Sequence, residues 1–198
     1  MDSRALRSRT ALVDAAYRLA SERDIDELTV TDVTAAAGIS RDTFYRHASD
    51  PVDLVATALH AELAEALAAY LAMPATLVGA EPGTSVFAEP TRVFVQHVRA
   101  HAEIYRRSSR GGLSSRLRAV LTDAAEEVLS AHLRRHPEIV PASLAPLDEV
   151  SFAMTVAYAA GGTVAATEAW LVHGDLDDID GAVRVVLATA PSWWLGLG

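Results

Sequence analysis

The chain contains no cysteine and no lysine, and all 17 of its basic residues are arginine. Without cysteine there is no disulfide and no thiolate metal site. Without lysine there is no Walker-type phosphate loop, no Schiff base and no pyridoxal-phosphate anchor, since each needs that amine. No G-x-S-x-G nucleophile motif and no metal-ligand constellation is present, so the chain is expected not to be an enzyme and to need no cofactor. Aromatic residues make up only 6% of the 198 residues. Alternating β-branched runs are few and alanine is abundant, which points to an all-α fold.

Positive charge is also short. Seventeen arginines face 26 acids, a formal net charge of −9. Residues 1–50 hold 7 arginines against 9 acids, and residues 51–198 hold 10 against 17. Met1 to Arg9 is polar with no apolar core behind it, so no signal peptide is expected and the cytoplasm is the expected compartment. Val150 to Val172 is a 23-residue stretch with a single charge, Glu168. Its length suits a bilayer. However, Ala, Gly and Thr transfer weakly and a basic flank is lacking. The expectation is a helix buried in a dimer core, with no membrane partner.

What is present is a run of helical periods. A first helix is expected over about Ser8–Arg23, with Leu12, Ala15, Ala16 and Leu19 as its apolar stripe. Asp50-Pro51 starts a fourth, ending near Met73-Pro74. Thr76 to Pro90 reads as a loop. Further helices are expected over Thr91 to about His101, Ala102–Arg107, Leu113–Arg135, Leu147 to about Val172, and from Ile179 to Ala190. A tail with Trp193 and Trp194 follows. Residues 1–50 then form one domain and 51–198 a second, with about nine helices in all.

The most specific stretch is LTVTDVTAAAGISRDTFYRHA, from Leu28 to Ala48. Thr29 can cap a helix, and Asp32 three residues later can reach back to the Thr29 amide. Val30, Val33 and Ala37 share an apolar face. Gly38 stands where a helix ends in a left-handed residue, and Ser40 caps the next helix. Phe44 is the apolar anchor of that helix, which leaves Arg41, Asp42, Thr43, Tyr45, Arg46 and His47 facing outward. This is a helix-turn-helix, the unit that lays one helix in the DNA major groove. The acidic balance opposes phosphate binding, but placement matters more than the total. Arg4, Arg7 and Arg9 crowd the N-terminus and Arg41 and Arg46 lie on the reading helix, while Glu22, Asp24, Asp26 and Glu27 cluster at the end of the first helix.

From Arg9 to Leu54 the sequence resembles the tetracycline-repressor-like (TetR) family of transcriptional regulators. The signature is Thr-Val at the second helix, Ala-Gly-Ile-Ser at the turn and Thr-x-Tyr on the third helix. The helix order of the remainder is similar too. The resemblance implies phosphate contacts from Thr31, Tyr45 and His47, and a cap with phosphate donation from Ser40. Arg41, Asp42 and Thr43 would face base edges, and Arg46 either partner. An N-terminal arm with Arg4 and Arg7 would enter a minor groove. The family commonly has Phe in place of Ala48, a phosphate-holding Lys in place of Pro51, Phe in place of Ala20 and Gly in place of Asp24. The smaller residues imply a reader core repacked around less volume, and the lost phosphate contact at Pro51 implies weaker, less salt-sensitive DNA binding.

The resemblance further implies a homodimer on a pseudo-palindromic operator in double-stranded DNA, paired through the last two helices. Ala153, Ala157, Ala160, Gly161 and Val164, with Val183, Val186 and Leu187, are the expected interface. A ligand inside the helical body of such proteins shifts the fourth helix and changes the spacing of the two readers. Expected ligand contacts are His60, Tyr70, Phe94, His97, Tyr105, Met154, Tyr158 and Trp170, a set suited to a small apolar or aromatic effector. The expected function is a dimeric repressor released from its operator by a ligand. The alternative is a helical small-molecule-binding or protein-interaction module with a weakened DNA reader. His97/His101 and His132/His136 have metal-compatible i, i+4 spacing, but Val98 and Leu133 stand where a helical zinc hydrolase places glutamate. Solvated histidines, with no metal, are expected.

Overall fold

A computed structural model of the chain describes residues 3–71, 87–107 and 113–191. Among these residues there are nine α-helices and no strand. They are α1 (Ser3–Glu22), α2 (Val30–Ala37), α3 (Arg41–Phe44), α4 (Pro51–Leu71), α5 (Ala88–Ala100), α6 (Ala102–Arg106), α7 (Ser115–Arg135), α8 (Glu149–His173) and α9 (Ile179–Thr189). The tail tryptophans, the end of the fourth helix near Met73 and most of the expected 76–90 loop lie outside the described residues.

The helix boundaries follow local chemistry, with one correction. The expected N-terminal arm is part of α1, which begins at Ser3 rather than Ser8. Ala, Leu and Arg fill its first turns, all good helix formers. Arg7 Nη1 donates to Ser3 Oγ at 3.4 Å, and Ser8 Oγ donates to the Arg4 carbonyl at 3.0 Å. Arg4 and Arg7 are therefore exposed on a helix surface. At the other end, Asp24 caps a single 3-10 turn, Ile25–Glu27, by accepting from the Asp26 amide at 3.0 Å. The start of α4 is doubly tied: Asp50 Oδ1 accepts from the Asp53 amide at 2.8 Å, and Asp53 Oδ2 accepts from the Ser49 amide at 3.0 Å.

The chain folds as two compact units, Met1–Glu62 with His101–Val120 and Leu63–Ala100 with Leu121–Gly198. In the first, α1 packs on α2 and α6, and α2 packs on α3. Leu12, Ile25, Val33, Phe44, Leu59, Tyr105 and Leu117 are sealed from solvent. The Tyr17 hydroxyl donates to Glu62 Oε1 at 2.9 Å, while His101 Nε2 lies 2.9 Å from Glu62 Oε2. Burial and the Glu62 carboxylate together push the Tyr17 pKa up. Arg107 ties α6 back to α1 by donating to the Glu22 carbonyl at 2.9 Å.

In the second unit α5, α8 and α9 pack on one another. Trp170 closes their junction against Val95, Ala182 and Val183, its Nε1 donating to the Asp175 carbonyl at 3.0 Å. Arg99 donates to the Leu176 carbonyl at 2.9 Å, and Arg92 meets Asp180 at 2.6 Å, so α5 is fixed to the turn between α8 and α9 and to the first turn of α9. The apolar helix α8 has two unlike faces within the protomer. One side is buried, through Val156, Ala160, Val164, Thr167 and Leu171. The other exposes Val150, Met154 and Tyr158, at 67%, 68% and 74%. By length and composition α8 is the one described helix apolar enough to cross a bilayer, with 22% of its most apolar window buried within the protein.

Candidate functional site

The hairpin is built as the residue spacing predicts. Thr29 Oγ1 accepts from the Asp32 amide at 3.2 Å, and Asp32 Oδ2 accepts from the Thr29 amide at 3.0 Å. This is a reciprocal capping box. Arg23 Nη2 adds an ion pair to the same carboxylate at 3.1 Å. The Thr29 hydroxyl and amide, followed by Arg23, hold the Asp32 carboxyl below its ordinary pKa. Gly38 ends α2 at φ +65°, a left-handed conformation that L side chains rarely adopt. Ser40 Oγ accepts from the Thr43 amide at 3.3 Å and starts α3. Phe44 is 0% exposed and its ring meets the Tyr45 ring edge-on at 5.7 Å. One anchor thus turns the rest of α3 outward.

The third helix is short, a single turn over Arg41–Phe44 with further turn hydrogen bonds through Ala48. Arg41, Asp42, Tyr45 and Arg46 are exposed, Thr43 and His47 partly so, and Thr31 and Ser40 are exposed beside them. These groups are interlinked. Arg41 Nη2 donates to Thr31 Oγ1. Arg46 Nη2 donates to Thr43 Oγ1 at 2.7 Å, and Thr43 Oγ1 shares a hydrogen bond with Ser40 Oγ at 3.0 Å. Guanidinium has five donors, so each arginine keeps most of them for a base edge or phosphate. The departures from the family pattern are structural as well. Pro51 is buried at the head of α4, Ala20 is fully buried on α1, and Ala48 is partly buried. Alanine at positions 20 and 48 lets the first unit close around less side-chain volume.

The second unit holds a cavity of about 300 Å³. Its walls come from Leu67 on α4, Phe87 to Phe94 at the start of α5, Ala125 to Leu129 on α7, Tyr158 to Thr163 on α8, and Val186 to Pro191 at the end of α9. Of the expected ligand contacts, Phe94 and Tyr158 line it. The other expected contacts do not. His60 and Tyr105 belong to the first unit, where Tyr105 is fully buried core. Met154 points to solvent, Trp170 is committed to the α8–α9 junction, and Tyr70 and His97 are not among the lining residues. Thr91, Thr163, Val128 and Leu129 also line the cavity and escape a reading that weights aromatic and histidine side chains. The available signal was a threonine on an otherwise apolar helix face.

The expected dimer stripe divides into two sets. Ala153, Ala157 and Gly161 lie on the exposed face of α8. Ala160, Val164, Val183 and Val186 are buried inside the second unit, and Leu187 is partly buried. A Cβ added at Gly161 or Gly162 meets nothing within 4 Å. The expectation of solvated histidines is corrected at His132 and His136. Pro137 ends α7 in a 3-10 turn that brings Glu138 Oε1 to 2.9 Å from His136 Nδ1. His136 is 3% exposed, and its ring lies 4.8 Å from that of His132. The edge of the His132 ring meets Phe87 at 4.5 Å. His132 Nε2 is sealed from solvent without a hydrogen-bond partner.

A capped hairpin with a left-handed glycine link, one buried aromatic and an outward polar helix defines a helix-turn-helix DNA-binding protein, here joined to a helical unit with an apolar cavity. Residues 12–57 match the family described as bacterial regulatory proteins, tetR family. Over that segment the chain carries a tetR-family DNA-binding domain, and its function is that of a DNA-binding transcriptional regulator. Similar solved structures extend the likeness over the helical body. A TetR-family transcriptional regulator from Pectobacterium atrosepticum has 19% identity and a TM-score of 0.55, with 95% of this chain and 94% of that one covered. The dihydroxyacetone kinase operon activator DhaS has 13% identity and a TM-score of 0.57, covering 91% and 94%. SmeT, solved as a complex with triclosan, has 18% identity and a TM-score of 0.53, covering 91% and 90%. At these identities the shared property is the fold. No curated protein matches the chain.

Proposed function

We propose that this regulator is a cytoplasmic homodimer that represses transcription from a pseudo-palindromic operator and is released by a small apolar or aromatic effector. Residues 1–50 read the DNA, and residues 51–198 pair the subunits and bind the effector. On the reader, Arg41, Asp42 and Thr43 address base edges; Thr31, Ser40, Tyr45 and His47 address phosphates; Arg46 serves either. The observation that carries this reading is the exposed, interlinked polar face around Arg41 and Arg46 on a hairpin matched to the tetR family.

Two further observations support the dimer and the effector. The face of α8 bearing Val150, Ala153, Met154, Ala157, Tyr158 and Gly161 is apolar, exposed and small enough at its centre for close helix approach. A two-fold pair of readers meets half-sites roughly 34–36 Å apart. The cavity is apolar and walled by residues of five helices within one unit, and the similar SmeT was solved with triclosan. An effector can release the operator only by binding the weakly binding conformation better than the tightly binding one.

The test is a gel shift with DNA flanking the chain's own gene, run over a salt series, with a reporter assay for the sign of regulation. Binding that weakens as salt rises, and repression in the reporter, support the proposal. No shift at low salt overturns it and favours a helical binding module with a decayed reader. Activation in the reporter retains the reader and rejects repression.

A further inference from the structure

The second-unit cavity has a selective chemistry that sharpens the effector reading and rests on it. Among the described residues no charged side chain lines it. Four hydroxyls do, on Thr91, Tyr158, Thr163 and Thr189, and they differ in how far they are already satisfied. Thr189 Oγ1 donates to the Val185 and Val186 carbonyls, both at 3.0 Å. Tyr158 is 74% exposed and can use water. Thr91 is 9% exposed, and neither its hydroxyl nor that of Thr163 has a hydrogen-bond partner among the described residues.

That pair stands out against its neighbours. Thr155, Thr167 and Thr189 all donate to the carbonyl four residues earlier, the usual resort of a helical threonine. Thr91 and Thr163 keep their hydroxyls instead for the cavity they line. These hydroxyls reach the cavity's solvent, so a ligand that displaces that water from the apolar wall must bring a polar atom of its own or leave them unsatisfied. An ion is the wrong polar atom, because the lining offers no counter-charge and an unpaired buried charge is heavily penalised. His132, whose ring backs the Phe87 wall at 4.5 Å, adds no charge at neutral pH because burial pushes its pKa down to about 4. At about 300 Å³ the space is at the low end of the roughly 300–1,000 Å³ of small-molecule sites.

We infer that the cavity takes a small uncharged ligand with a hydrocarbon body and a hydroxyl or carbonyl oxygen that hydrogen-bonds to Thr91 or Thr163, and that it rejects carboxylates and amines of the same skeleton. The intact protein is titrated at pH 7 with β-naphthol, β-methylnaphthalene and β-naphthoate, following probe fluorescence. β-Naphthol should bind, β-methylnaphthalene should bind about three- to tenfold more weakly for want of one net hydrogen bond, and β-naphthoate should not saturate. The Thr91→Val, Thr163→Val double variant should erase the preference for β-naphthol while still binding β-methylnaphthalene. Should the double variant misfold, each single variant is measured alone, and at least one should narrow the preference. Equal binding of β-naphthoate in the wild type, a preference that survives the substitutions, or no binding by any probe overturns the inference. A gel shift with β-naphthol keeps the two readings separable. Threonine-dependent binding without operator release defeats the effector reading alone; release without threonine dependence defeats this one alone.

Discussion

The guanidinium of Arg41, on the second helix of the hairpin, donates to the hydroxyl of Thr31, on the first. The contact bridges the turn at Gly38 and orients the arginine before any ligand arrives. Arg46 is held in the same manner by Thr43. In a reader with only 7 arginines against 9 acids, pre-orientation offsets part of what a denser positive surface would supply.

Arg41→Ala is therefore expected to weaken operator binding by about 1–3 kcal/mol, the range for loss of one bidentate base contact. Arg41→Lys should fail to restore it, since an ammonium lacks the planar fork. Thr31→Val should lower affinity less. Fluorescence anisotropy against the operator and against single-base variants reads the effect. Discrimination at one base pair should be lost with Arg41, whereas a uniform loss with a shallower salt slope would place Arg41 on phosphate instead.

How much of this was legible in the sequence depends on the range of the interactions involved. The capping box, the Gly38 link, the Ser40 cap and the Phe44 anchor join residues at most four or so apart, and their spacing specified the geometry. The start of α1 was missed because Ser3 to Ser8 has helix-forming residues but no apolar period to announce it. The cavity was mostly missed because Leu67, Thr91, Leu129, Thr163 and Leu187 meet only after five helices pack. His132 and His136 read as surface residues because the turn that buries them depends on Pro137 folding Glu138 back.

Thr29→Ala removes the side-chain half of the capping box and should destabilise the protein by about 1 kcal/mol. A urea melt should show a lower midpoint with an unchanged slope. The Asp32 carboxyl, held below its ordinary 3.8 chiefly by Thr29, supplies a stabilisation present above that value and lost as pH falls beneath it. The gap between wild type and variant should accordingly narrow in strong acid.

Gly161 lies on the exposed face of α8 with open space where a Cβ would stand. Gly161→Ala should leave the protomer folded and raise its stability by about 0.5–1 kcal/mol through helix propensity. Gly161→Arg should keep the helical circular dichroism and halve the mass seen by light scattering, because it plants a charge at the centre of the proposed interface. Operator affinity should drop with it, since two joined readers gain from the effective concentration that linkage gives. An unchanged dimer mass in Gly161→Arg would move the interface away from this face.

His132 should make the protein sensitive to mild acid. Burial is the main cause of its lowered pKa, with the neighbouring His136 and Arg135 acting in the same direction and Glu138 opposing. The unfolded chain takes up this proton near 6.5, while the folded one resists it until about 4. Between those values the unfolded state binds more protons, so stability falls as pH falls. The stabilisation is complete above 6.5 and progressively lost towards 4. Glu138, Asp32, Asp53 and Asp148 all have carboxyl pKa values lowered from 4.5 or below, and their contributions are lost lower down. His132→Phe keeps an aromatic ring against Phe87 and removes the titrating nitrogen. Urea midpoints measured in steps across this window should decline for the wild type and stay nearly level for His132→Phe. Parallel declines in both would locate the acid-sensitive group elsewhere.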